Sequence, residues 1–228
     1  MIQVGIIGAG RIGQVHMKSV ASGVPNAVIR SLADPMISAQ AEQMAKGFGI
    51  EHICGDYHEI LEDPSIDAVL VCSPTDIHAK ISIEAIRAGK HVFCEKPVDH
   101  ELAKIVLVEE ALKTSPKKLK YQVGFNRRYD HNFRALRQAV LEGKVGDVQF
   151  IRVSSRDPQP PHAGFIASSG GLFLDMMIHD LDMIRYLSGS EVEEVFAQGA
   201  VLIDPAIGAA GDVDTATVSA RMSNGALA

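Results

Sequence analysis

The sequence predicts an α/β protein in which a doubly wound parallel sheet is followed by a second, incomplete α+β domain with an open-faced, mostly antiparallel sheet. Three observations carry this reading. An apolar run at the N-terminus ends in a glycine-rich turn and passes into a helical pattern. Short apolar runs and helical patterns then alternate as far as about residue 123, the rhythm of parallel strands joined by crossover helices. Beyond that point, longer stretches alternate apolar and polar residues, as half-buried strands of a sheet with one open face do.

Ile2 to Ile7 is the first run, followed by Gly8-Ala9-Gly10-Arg11-Ile12-Gly13 and a helical pattern through about Ala21. In such a unit the first glycine permits a tight turn, the second lets backbone approach a pyrophosphate, and the third lets helix pack on strand. The helix N-terminus, from Arg11 and Ile12 onward, offers N–H groups to the anion. Val28 to Ala33 is the next strand and ends at Asp34, about twenty residues beyond Gly13, where a carboxylate can accept hydrogen bonds from adenosine ribose hydroxyls. The same charge repels a 2′-phosphate, so the spacing favours NAD over NADP. This is the pattern of a Rossmann dinucleotide-binding domain; a glycine turn in an unrelated α/β fold is the alternative.

The alternation continues with a helix from about Met36 to Gly47, a strand around Ile53, a helix from about Tyr57 to Leu61 and a buried-type strand from Ala68 to Cys72. Ser73-Pro74-Thr75 follows, then a helix from Asp76 to Ala88, so Ser73 to His78 lie at the carboxyl edge where ligands bind in such sheets. His91 to Cys94 delivers Glu95-Lys96-Pro97 to the same edge before a helix from about Glu101 to Leu112. Lys96 admits two readings. A partly desolvated lysine beside a cofactor can hydrogen-bond a substrate hydroxyl and help move its proton, whereas a solvated turn lysine would simply pair with Glu95.

A polar loop from Thr114 to Lys120 precedes the sixth strand, Tyr121 to Phe125, and Asn126-Arg127-Arg128-Tyr129 leads out of it, so the domains divide as residues 1–124 and 125–228. The second domain is expected to hold a helix from about Asn132 to Glu142, a strand from Val148 to Ser154, and a polar, proline-rich loop from Arg156 to His162 that cannot be helical. Gly170 and Gly171 then open a helix from Leu172 to Leu187, in which Asp175 and His179 fall four apart on one face. A carboxylate that fixes the tautomer and orientation of an imidazole is what a general base needs; a surface ion pair worth a few tenths of a kcal/mol has the same spacing. Val192 to Val201 and Asp214 to Met222 are further strands, and Asn224-Gly225 signals a hairpin whose partner strand should follow.

Composition bounds the function. The 228 residues are 46% hydrophobic, enough for a full core, and carry a net charge of −6, which argues against nucleic-acid or anionic-membrane surfaces. Cys54, Cys72 and Cys94 share no metal-ligand spacing, so no metal is expected, and Cys72 and Cys94 sit in apolar runs where cysteine behaves as a small buried hydrophobe. The N-terminus starts directly with a strand and lacks the pattern of a signal peptide, which points to a cytoplasmic protein with reduced thiols.

The glycine motif, Glu95-Lys96-Pro97, the run from Phe125 to Asp130 and the stretch from Gly170 to Asp182 occur in the order found in the Gfo/Idh/MocA oxidoreductases, and the chain resembles that family throughout. Ser155-Arg156-Asp157-Pro158, the run from Ser169 to Met176, and Ile178-His179-Asp180 are similar to the inositol 2-dehydrogenases within it. The resemblance implies NAD-dependent oxidation of a secondary hydroxyl of a cyclic polyol or sugar, foremost myo-inositol to its 2-keto product. It implies Lys96, Asp175 and His179 as a catalytic set that also touches substrate, and Arg127 and Asp157 as further polyol contacts. Gly8, Gly10, Arg11, Ile12, Gly13 and Asp34 would contact NAD, with Ser73, Thr75, His78, Glu95 and Lys96 near its nicotinamide half. It further implies a homo-oligomer, dimer or tetramer, through the second-domain sheet. Family members continue well beyond the equivalent of Ala228, so the C-terminal part of the pattern is expected to be missing. The competing readings are a non-catalytic NAD-binding regulator on the same fold and a family activity on another sugar or a glycoside.

Overall fold

Short strands rich in β-branched residues build a parallel sheet from the first half of the chain: β1 (Ile2–Ile7), β2 (Ala27–Ala33), β3 (His52–Cys54), β4 (Ala68–Val71), β5 (His91–Cys94) and β6 (Tyr121–Val123). Their order across the sheet is β3-β2-β1-β4-β5-β6. The computed structural model describes residues 1–161 and 163–228, and the chain separates into two compact units, Met1–Gly124 and Phe125–Ala228. In the first unit the order reverses between β1 and β4, so the turns that follow these two strands flank the topological switch point where open α/β sheets bind ligands.

Strand alternation feeds two cores. Val4, Ile6, Leu32, Leu70 and Cys72 point to one face, where they meet Met17 of α1 (Arg11–Gly23) and Ala41 and Ala45 of α2 (Ala39–Gly47). Ile7, Val69, Val71, Val92 and Cys94 point to the other, against α3 (His58–Glu62), α4 (His78–Arg87) and α5 (Leu102–Thr114). Both faces are covered, which is why β1 and β4 read as continuous apolar runs. Helix α2 starts later than the expected Met36. The Met36 N–H is taken by the Asp34 carboxylate at 2.8 Å, and Ser38 caps the helix by accepting the Ala41 N–H at 3.2 Å.

The second unit opens with a 3₁₀ turn, Asn126–Tyr129, and α6 (His131–Leu141), whose cap Asp130 accepts the Asn132 and Phe133 N–H groups at 2.9 and 3.1 Å. The expected strand from Val148 to Ser154 is not formed as such. Only Phe150 bridges to Leu227, with Ile151 N–H donating to the Leu227 carbonyl at 2.9 Å and Leu227 N–H to the Gln149 carbonyl at 3.0 Å. Residues 226–228, the segment it pairs with, also pair with Ala220 and Met222. The alternation itself has a physical outcome, since Ile151 and Val153 pack on the small core of Ile184, Ala220, Met222 and Ala226. His162, the end of the proline-rich loop, lies outside the described residues.

Helix α7 (Ala163–Ser169) was not anticipated; it leads to Gly170 and Gly171, both at positive φ (85° and 75°). The single helix expected from Leu172 to Leu187 is instead one π turn, Leu172–Met177, continued by α8 (Ile178–Ser188) and ended by Gly189 in the left-handed region. Apolar periodicity cannot distinguish one widened turn from an α turn, and such turns are frequent at functional sites. Strands β7 (Val192–Ala200) and β8 (Thr215–Met222) pair antiparallel, and the chain turns back after Asn224-Gly225 as the sequence predicts. Between them lies α9 (Pro205–Ala209), which Asp204 as cap and Pro205 at the first position could have announced.

Asp214 organises the connection from β7 to β8. Its carboxylate accepts N–H groups from Leu202, Ile203 and Asp204 at 2.9, 2.9 and 3.0 Å and the Thr215 hydroxyl at 2.9 Å. These donors, the Leu202 N–H foremost, hold its pKa well below the ordinary carboxylate range. A carboxylate depressed in the folded state stabilises it above the unfolded-state value, about 3.9, and loses that contribution as pH falls. Acid titration of thermal unfolding should therefore show stability dropping below about pH 4, with a shallower drop in Asp214→Asn; identical acid slopes would refute this role.

Candidate active site

The switch point of the first unit is shaped by three glycines that differ in what surrounds them. Gly8 has φ +101°, and a Cβ there would lie 2.5 Å from the Cys72 carbonyl oxygen. A Cβ on Gly13 would lie 2.0 Å from the Gly8 carbonyl oxygen, so α1 rests directly on the turn. Gly10 is the opposite case: its backbone is ordinary (φ −65°, ψ −171°), it is exposed, and a Cβ would meet nothing within 4 Å. The fold needs Gly8 and Gly13. Gly10 leaves a bare strip of backbone at the N-terminus of α1, where the first-turn N–H groups have no intrahelical acceptor. Such a cradle fits a pyrophosphate. Arg11, exposed, and Ile12, half-buried, lie on that first turn.

Asp34 closes the cradle from β2. One carboxylate oxygen accepts the Ala9 N–H at 2.7 Å and the other the Met36 N–H at 2.8 Å. The side chain is thus held in one orientation, with lone pairs left over for hydroxyl donors.

The ends of β4 and β5 supply the rest of this edge. Ser73 and Thr75 are half-buried in the turn after β4. His78 is 2% exposed, and its ring spans two loops: Nδ1 lies 2.8 Å from the Pro97 carbonyl oxygen and Nε2 2.7 Å from that of Ser73. Both nitrogens face protein carbonyls, so His78 shapes this edge from beneath. Glu95 and Lys96 follow β5 and are half-buried. The Glu95 carboxylate lies 2.6 Å from Nε2 of His16, a residue of α1, and accepts the Lys96 N–H at 3.2 Å. Cys72 and Cys94 are buried beside this edge; burial pushes the Cys94 thiol up to about 11 and that of Cys72 higher still, so neither supplies a thiolate.

In the second unit Asp175 sits in the π turn and His179 at the second position of α8, both half-buried. The turn is tied down at its start: Leu172 N–H donates to the Asp212 carboxylate at 2.9 Å, and a Cβ on Gly171 would fall 2.6 Å from that carboxylate. Arg127 pairs with Asp180, which also accepts the Ser155 hydroxyl at 2.6 Å. Arg128 grips the buried Asp182 with both Nε and Nη2, at 2.8 and 2.7 Å, while its guanidinium stands 5.3 Å from the Tyr186 ring centre. Asp157 is exposed in the loop preceding α7. His16, Asp180, Asp182 and Asp212 were not singled out from the sequence. For the two aspartates of α8, adjacent arginines facing an Asp-Leu-Asp run was the available signal.

Residues 2–125 match the model of an oxidoreductase family with an NAD-binding Rossmann fold, GFO_IDH_MocA, and residues 133–228 match the GFO/IDH/MocA C-terminal domain. The chain is 46% identical over 227 residues to the myo-inositol 2-dehydrogenase of Thermotoga maritima, covering 99% of this chain and 66% of the relative. It is 45% identical over 225 residues to an inositol 2-dehydrogenase of Rhizobium meliloti, covering 98% and 66%. A crystal structure of scyllo-inositol dehydrogenase from Lactobacillus casei with bound NAD(H) and scyllo-inositol superposes with a TM-score of 0.88 at 33% identity, covering 100% of this chain and 68% of that one. The chain thus spans about two thirds of the length of these relatives.

The glycines separate fold from site. Gly8→Ala and Gly13→Ala should destabilise the protein by at least about 1–3 kcal/mol through backbone overlap, and Gly10→Ala should stay within about 0.5 kcal/mol of the parent. Urea unfolding of the three variants checks this; a Gly10→Ala loss equal to that of Gly13→Ala would contradict the assignment.

Proposed function

Since the chain belongs to the Gfo/Idh/MocA oxidoreductase family, we propose that it binds NAD across the glycine turn and oxidises a secondary hydroxyl of a cyclic polyol or sugar, with inositol as substrate and the 2-keto compound as product. The observation that carries the cofactor half of this reading is Gly10, a position the fold leaves open and an anion needs bare. Relatives named for inositol oxidation at 45–46% identity support the substrate class.

Gly8, Gly10, Arg11, Ile12 and Gly13 would hold the pyrophosphate and Asp34 the adenosine ribose, while Ser73, Thr75, Glu95 and Lys96 border the nicotinamide half. NAD supplies, when bound, a hydride acceptor at nicotinamide C4. His179 takes the hydroxyl proton as hydride leaves, which avoids a high-energy protonated carbonyl. Asp175, four residues earlier, fixes the ring tautomer and balances the charge the imidazole gains. Lys96 donates a hydrogen bond to the same oxygen, and Arg127 and Asp157 contribute to holding the polyol. His78 acts in this scheme through the loops it joins. We extend the reading to a homo-oligomer, through the second-domain sheet, in the cytoplasm: Val195 and Phe196, on opposite faces of β7, are both exposed, and no described helix is long and apolar enough to cross a membrane.

NADH formation in a scan of inositols, other polyols and sugars tests the activity, and silence across the scan would leave only a cofactor-binding protein. Two sets of variants test the parts. Asp34→Ser should weaken NAD binding and narrow the preference over NADP, because it removes a ribose acceptor and a repelling charge; equal affinity for both cofactors in the parent would sink this. His179→Ala and Lys96→Ala should each lower kcat by about 10²- to 10⁴-fold, roughly 3 to 5 kcal/mol of barrier, with NAD affinity nearly intact. Near-normal turnover in His179→Ala would remove it as the base.

A further inference from the structure

Two histidines outside the catalytic set stand on either side of Lys96. His16 comes from α1 and is three residues past Gly13; its ring meets Phe93 edge-on with centroids 5.0 Å apart, and its Nε2 lies 2.6 Å from Oε1 of Glu95. The other oxygen of that carboxylate, Oε2, accepts the N–H of Lys96. Gly124 leaves the space that the Glu95 side chain occupies, since a Cβ there would lie 3.0 Å from its carboxylate. The pair is well shielded, with side chains 20% and 12% exposed, so water screens it less than a surface ion pair. On the far side of Lys96, the His78 ring of α4 is wedged between two carbonyls, with Nδ1 2.8 Å from the Pro97 oxygen and Nε2 2.7 Å from the Ser73 oxygen, and its N–H donates to one of them.

We propose that His16 and His78 are positioning residues for Lys96: they clamp the residues before and after it, Glu95 and Pro97, to two different helices, and so fix the backbone from which its amine reaches the reacting oxygen. A lysine side chain has four rotatable bonds and no rigid geometry of its own. Its amine can be placed to the accuracy a proton transfer needs only if the backbone beneath it does not move. The clamp supplies that from both directions. The His16 arm adds a further link, because α1 also carries the glycine cradle, so the seat of the cofactor phosphate and the base of Lys96 are braced by one helix. The inference rests on the dehydrogenase reading for its kinetic consequence, though not for its structural one.

The experiment uses the full-length protein with His16→Ala, His16→Gln and His78→Gln, and reads three quantities: kcat and KM with inositol and NAD, NAD affinity by fluorescence titration, and the labelling rate of each lysine by trinitrobenzenesulfonate followed by mass spectrometry. His16→Ala should lower kcat by about 10- to 100-fold, the cost of roughly 1 Å of misplacement at a reacting group, with NAD affinity changed less than about threefold. His16→Gln retains an N–H donor toward Glu95 and should recover most of kcat. The labelling rate of Lys96 should shift several-fold in His16→Ala while those of Lys18 and Lys80 stay constant, which a general loss of stability would not produce. If His78→Gln fails to fold, the His16 variants carry the test alone. Unchanged kcat together with an unchanged Lys96 labelling rate in His16→Ala would overturn the proposal. Absence of turnover in the parent counts against the dehydrogenase reading instead, and Lys96 labelling then decides the clamp by itself.

Discussion

A backbone contact with no room for a methyl group, Gly13 of α1 on the carbonyl of Gly8, governs the ligand-binding edge of the first unit. It brings the helix down onto the turn after β1, which aims the helix N-terminus across the switch point instead of away from it. With the axis fixed there, Gln14 reaches back to donate to the Ala9 carbonyl at 3.0 Å and His16 reaches over Phe93 to Glu95. A larger residue at position 13 would lift the helix and disturb the cradle, the Gln14 contact and the His16 contact together. Three contacts with different chemistry therefore depend on one missing Cβ.

The protein also uses its excess of acidic residues in a consistent way. Asp34, Asp130, Asp212 and Asp214 each accept backbone N–H groups where the chain changes direction. Each satisfies donors that a turn or helix start leaves without a partner, and a charged acceptor makes a stronger hydrogen bond than a neutral one. Asp212 does this for the π turn that carries Asp175, and Asp34 does it for the turn that would carry a cofactor. The rigidity of both candidate regions thus comes from carboxylates that do no chemistry at those contacts.

The parallel sheet was legible because its signals are local. A glycine turn, an acidic residue at the end of β2 and buried runs separated by helical patterns each specify their own geometry, and only the ends of elements moved, as with α2, where Asp34 takes the Met36 N–H and Ser38 supplies the cap, and with the sixth strand, which stops at Val123. The second unit was harder for a physical reason. The stretch from Val148 to Ser154 has strand alternation, but whether a strand forms depends on the segment it pairs with, and that is information from elsewhere in the chain. The π turn leaves the apolar pattern from Leu172 to Leu187 intact, and its start is anchored by Asp212, far downstream. Among the candidate site residues, the glycines and Asp34 announce themselves by spacing. His16 does not, because its partner Glu95 is 79 positions away and nothing in either neighbourhood marks the pairing. The family resemblance implies His78 as a cofactor contact, whereas its burial and its two carbonyl neighbours can be seen only in three dimensions.

The arginines at positions 127 and 128 hold α8 through Asp180 and Asp182, which lie two residues apart on that helix. Two residues along an α-helix turn through about 200°, so the two grips act on nearly opposite sides of its axis. Each grip acts off the axis and so resists rolling as well as sliding; two on opposing sides reinforce one another against both. His179 is next in sequence to Asp180, and its azimuth about the axis is therefore fixed by a torque balance between neighbouring guanidinium groups. The direction in which its Cα–Cβ bond leaves the helix is set mechanically, before any ligand arrives.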